Sequence, residues 1–183
     1  QTNNLKKNIK FEKNYSKKIE ILTALMLSGL VFKEYEENYK ISIKEIENLV
    51  KNFFDKDGFP YSRNPSDLII FSKYLLLCKE CIKDAQKYVP EFLDNIIEKN
   101  LICIKNILTP DNEVPLFNGS VKEDLGEFNK FLKNLDYKVK NKKNLIGGIQ
   151  LLKYKNSLIF FDVGQPPSKN FSKKYQSGPL SFE

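Results

Sequence analysis

Three polar segments interrupt an otherwise well-patterned chain, and each carries groups that could bind a ligand or move a proton. The first, Asp57-Gly58-Phe59-Pro60-Tyr61-Ser62-Arg63-Asn64-Pro65, holds the only arginine beside a tyrosine and an asparagine, on a backbone restricted by two prolines. Polar groups on a rigid loop at helix ends suit an anion or a sugar. The same residues also read as a plain helix connection, in which Asn64 caps the next helix and Pro65 takes its first position. The second segment, Asp111 to Ser120, has Leu116-Phe117 to anchor it and Asn118-Gly119 to turn it, a composition that a purely structural turn also has. The third runs from Asp162-Val163-Gly164-Gln165-Pro166-Pro167 to Leu180-Ser181-Phe182-Glu183 and reads as strand, loop and strand.

The chain contains no histidine, so every mechanism that takes an imidazole from it is excluded, Ser/His/Asp and Cys/His catalysis among them. Chemistry must come from Tyr, Lys, carboxylates, amides or the backbone. Cys78, Cys81 and Cys103 are an odd number without disulfide-framework spacing, and they read as small core residues. Cys78-Lys79-Glu80-Cys81 has the C-x-x-C form but falls inside a helical pattern and lacks further ligands, so no metal and no cofactor is expected. Net charge is +7, from 30 basic residues against 23 acidic ones. Such an excess points to an acidic partner, yet all the basic residues but Arg63 are lysines in a chain rich in Asn, Ile, Phe and Tyr, which codon usage in an A/T-rich genome produces whatever the function. A basic helical nucleic-acid binder is a weaker alternative, because no nucleic-acid motif is present. No stretch is apolar and long enough for a membrane span.

These segments need elements to position them. Ile19, Leu22, Met26 and Leu30 predict a helix from Tyr15 to Phe32, and Ser42 is read as the cap of a second, with Ile43, Ile46, Val50 and Phe53 inward and its end at the Asp57-Gly58 break. Leu68, Phe71, Leu75, Cys78, Ile82, Ala85 and Val89 mark a third helix, and Pro90 starts a fourth that ends before Thr109-Pro110. A shorter helix is predicted from about Lys122 to Leu135. Beyond Asp136 the pattern changes to short β-branched and aromatic runs at Tyr137 to Lys140, Ile149 to Tyr154 and Leu158 to Val163. Helices followed by strands predict an α+β chain of two domains, 1–135 helical and 136–183 the start of an antiparallel sheet domain. Gln1 at the start, the internal Met26 and a last run that reads like a strand cut midway give the expectation of a piece of a longer polypeptide, with most of the sheet domain beyond it.

The ordered motifs D-G-x-x-x-S-R-N-P (Asp57 to Pro65), P-L-F-N-G (Pro115 to Gly119), F-D-V-G-x-P-P (Phe161 to Pro167) and G-P-L-S-F-E (Gly178 to Glu183) together resemble the heparinase II/III-like family, most closely its alphaproteobacterial members. The likeness extends from about Leu22 to Glu183. It implies an incomplete (α/α) toroid followed by an antiparallel β-sandwich, an acidic polysaccharide as partner, a cell-envelope or periplasmic setting, and β-elimination on uronic-acid-containing chains. In such a reaction the uronate carboxylate is neutralised, a base removes the C5 proton, and an acid protonates the departing O4. On this resemblance Tyr61 is the expected proton-transfer residue, with Gln176 and Tyr175 as further catalytic candidates. Arg63 and Asn64 are expected to contact carboxylate or sulfate, and Asn118 to line the cleft. Two departures stand out. Pro60 occupies the place of a histidine in the family's first motif, and Gln176 stands where relatives carry another histidine. The competing expectation is therefore a catalytically inactive, glycan-binding relative.

Overall fold

The computed structural model describes residues 9, 11–122, 125–137, 145–155, 157–168, 170–171 and 181–182. Among them are five α-helices, α1 (Tyr15–Val31), α2 (Glu36–Phe53), α3 (Pro65–Asp84), α4 (Glu91–Ile107) and α5 (Gly126–Asn134). Four short strands follow, β1 (Leu145–Ile146), β2 (Ile149–Tyr154), β3 (Ser157–Asp162) and β4 (Ser181–Phe182), in one antiparallel sheet of order β1-β2-β3-β4. The chain is thus mixed α+β, helices first and strands last.

It folds as two compact units. One comprises Gln1–Phe53 with Ile70–Ile97, the other Phe54–Ile69 with Glu98–Glu183. The loop that carries Arg63 therefore groups with the strands.

In the first unit the Asn14 side chain accepts from the amides of Ser16 and Lys17, and so fixes where α1 begins. Ile19, Leu22, Leu25 and Met26 form its buried stripe. A 3₁₀ turn, Lys33–Tyr35, leads directly into α2. Ser42 consequently lies inside α2, fully buried, and is not its cap. The helices approach closely at Gly29, where a Cβ would come within 2.9 Å of the Tyr35 carbonyl oxygen. Phe53 stacks on Phe71 with ring centroids 4.1 Å apart, and Leu75, Cys78 and Ile82 continue the buried row expected for α3, which ends at Asp84, short of the Ala85 and Val89 that the pattern included.

In the second unit Phe59, Leu68, Leu101, Ile104, Phe117, Phe128, Ile149 and Phe160 are buried. The β1–β2 hairpin turns on Gly147-Gly148, whose φ angles of 54° and 76° suit a two-residue turn of the kind that glycine enters most readily. β2 spans the expected residues, β3 is displaced by one residue, and β1 was not anticipated because it is two residues long. The run expected at Tyr137 to Lys140 falls, apart from non-strand Tyr137, outside the described residues.

Candidate functional site

Pro60, Tyr61, Ser62 and Arg63 form a tight turn, closed by the Arg63 amide donating to the Pro60 carbonyl at 2.9 Å. Asp55 braces the preceding bend, its Oδ1 accepting from the amides of Asp57 and Phe59 at 2.9 Å each. Asn64 Oδ1 accepts from the Ser66 amide at 2.8 Å and caps α3, with Pro65 in first position. Asn64 is buried at that task.

Arg63 turns inward, with 7% of its surface exposed. Its guanidinium donates to the carbonyls of Gly147 (Nε, 3.1 Å), Gln165 (Nη1, 2.9 Å) and Gly148 (Nη2, 3.3 Å), and forms an ion pair through Nη2 with Asp162 Oδ1. Both members of the pair are buried, so their mutual attraction and hydrogen bonds offset part of the desolvation cost that each would bear alone. Asp162 also accepts from the Gly164 amide and, through Oδ2, from the Asn118 side-chain amide at 3.1 Å. Asn118 Nδ2 donates to the Arg63 carbonyl as well, at 3.0 Å, and the residue sits at φ 55° in the Asn118-Gly119 turn. Three motifs separated by up to about a hundred residues thus meet at one carboxylate. Of the expected ligand contacts, Arg63 and Asn118 are brought together, but both side chains are committed to Asp162 and to backbone carbonyls.

The outer side of the cluster borders a cleft of about 430 Å³ lined by Asp55, Asp57, Tyr61, Gln165, Pro166 and Ser168 among others. Tyr61 is 46% exposed there, and its ring lies 6.1 Å from that of Phe171. The wall offers a phenol, two carboxylates, a hydroxyl and an amide, which suit sugar hydroxyls and the transfer of a proton. Its cation, Arg63, is already neutralised by Asp162. Tyr175 and Gln176 lie outside the described residues.

Asp162 and Gly164 stood in the third polar segment without an assigned role, Gly148 was not singled out, and all three matter to this cluster. A Cβ on Gly164 would overlap the guanidinium carbon of Arg63, and one on Gly148 would lie 2.7 Å from its Nη2. The available signal was a lone arginine in a chain whose F-D-V-G motif ends a strand in an acid followed by glycine. Among the described residues no group of three or more His, Cys, Asp or Glu side chains could hold a metal, and no helix is long and apolar enough to cross a membrane.

Comparison with protein-family models, with curated proteins and with solved structures returned no match.

Proposed function

We propose that the chain belongs to a heparinase II/III-like polysaccharide lyase, with its helices forming part of an (α/α) toroid and its strands part of a β-sandwich. One observation carries the reading. Three of the four motifs that resemble the family converge on the Arg63–Asp162–Asn118 cluster, and that cluster holds the loop on which Tyr61 faces an open cleft. In this account the cluster positions and Tyr61 acts. The Tyr61 oxygen takes the C5 proton of a uronate and returns a proton to O4; the C5–H pair becomes the C4–C5 double bond as the C4–O4 bond breaks. No water is consumed. Asp55, Asp57 and Ser168 hold sugar hydroxyls along the wall.

Incubation of the full chain with a panel of uronate-containing glycans tests this. The account expects an ultraviolet gain from unsaturated uronate on at least one glycan, and its loss in Tyr61→Phe with little change in binding. No gain on any glycan contradicts it.

Glycan binding without turnover is the second reading. It is favoured by the commitment of Arg63 and Asn118 to Asp162, which leaves no unpaired cation among the described residues that line the cleft to neutralise a uronate carboxylate, and by the absence of histidine. It expects saturable binding of an acidic glycan with no ultraviolet change, and the same affinity in Tyr61→Phe.

A further inference from the structure

Asn118-Gly119 is the only Asn-Gly pair in the sequence. A glycine nitrogen has no neighbouring side chain to hinder it, so in such a pair it can attack the asparagine Cγ. A C–N bond forms, the side-chain amide leaves as ammonia, and water opens the resulting succinimide to aspartate or isoaspartate. The fold opposes each part of this chemistry. The Ser120 amide donates to the Phe117 carbonyl at 2.9 Å and closes a turn in which Asn118 and Gly119 sit at φ 55° and 79°. Positive φ at both central positions is the type I′ form, whose first central residue has a small positive ψ that turns the following nitrogen away from its side chain. The leaving amide is held as well, because Nδ2 donates to the Arg63 carbonyl at 3.0 Å and to Asp162 Oδ2 at 3.1 Å. Asn118 is buried there, out of reach of the water that must open the ring.

We infer that Asn118 is a deamidation site that the Arg63–Asp162 cluster protects in the folded chain, and that its conversion prevents the cluster from forming again. The product accounts for the second half. Aspartate in place of Asn118 exchanges an amide donor for an acceptor, so the Arg63 carbonyl and Asp162 Oδ2 each lose a partner and a second carboxylate faces the first. Arg63 already serves Asp162 and the carbonyls of Gly147, Gly148 and Gln165. Two buried carboxylates at that separation resist being charged together, which disfavours the folded state near neutral pH. Isoaspartate also lengthens the backbone within the turn. A chain that has opened and reacted therefore loses its hold on the loop that carries Tyr61, whatever reaction that residue performs.

Peptide mapping of the full chain during incubation at mildly alkaline pH, in native buffer and in denaturant, tests the inference. Asn118 is expected to convert fastest of all the asparagines in denaturant, and roughly tenfold or more slowly in native buffer, as a site that reacts only through local opening. When the denaturant is removed, refolded chains are expected to retain Asn118, and converted chains to stay sensitive to proteolysis. Asn118→Asp is expected to lower the chemical-denaturation midpoint further than Asn118→Gly, which keeps the turn and adds no charge. Equal conversion rates in the two buffers, converted chains that refold with the wild-type midpoint, or an equal midpoint in the two variants each overturns it. The rate comparison uses the wild-type chain alone, so it decides the protected-site claim even if Asn118→Asp does not fold.

Discussion

Removing the Asp162 carboxylate would leave the Arg63 guanidinium buried without a counter-charge, while Asn118 and the Gly164 amide would lose an acceptor. Asp162→Ala is therefore expected to destabilise the chain by about 3–5 kcal/mol, read as a fall in the chemical-denaturation midpoint. Arg63→Lys should not substitute for arginine, because one ammonium cannot reproduce a planar fork that serves three carbonyls and a carboxylate. The uniqueness of Arg63 was legible in the sequence, but its use was not, since the partner lies 99 positions away and nothing in local spacing announces a pairing across that distance. Cys78 illustrates the opposite case, for its place in an apolar row already marked it as core. Burial pushes its thiol up to about 12, with the Thr23 hydrogen bond pulling the other way and Cys81 adding a smaller upward push. Cys78 is accordingly expected to resist thiol-specific alkylation in the native chain near neutral pH, while partly exposed Cys81 reacts first, as peptide mapping would show. The sign for stability follows: between about 9 and 12 the folded state retains the proton that the unfolded state releases, so the contribution of Cys78 is complete below pH 9 and declines as pH rises through that window.

At the scale of elements, α3 starts where a single side chain makes it start. Asn64 satisfies an amide of the first turn, so Asn64→Ala should cost about 1 kcal/mol, seen as a fall in Tm without loss of the helical circular-dichroism signal. The Asn-Pro pair made that start readable, and the three-four apolar spacing made the body of the helix readable. Ser42 misled because serine is a common cap, whereas here a 3₁₀ turn delivers the chain into α2 six residues earlier and Ser42 is buried inside that helix. The Asn118-Gly119 turn was legible from its dipeptide, but that the asparagine amide would reach Asp162 depended on tertiary placement. Gly164→Ala belongs here as well, because the loop after β3 passes against the guanidinium at that position. Its added methyl is expected to displace Arg63 and lower Tm.

At the scale of the whole molecule, composition and order of elements foretold a mixed chain with helices first, and the described residues agree. The grouping of residues 54–69 with the strands was not foretold, because it arises from the Arg63 contacts. The net charge of +7 had no readable location, and at the Tyr61 cleft the one cation among the described lining residues is paired. The central claim is that the motif cluster holds Tyr61 in place to cleave an acidic glycan by β-elimination. The most direct test is the initial rate of ultraviolet gain on a panel of acidic glycans for wild type and Tyr61→Phe, each with its glycan affinity measured in parallel. The account predicts a measurable rate on at least one glycan for wild type and a fall of about a hundredfold or more in Tyr61→Phe at similar affinity. No gain with wild type, or an equal rate in the variant, would contradict it.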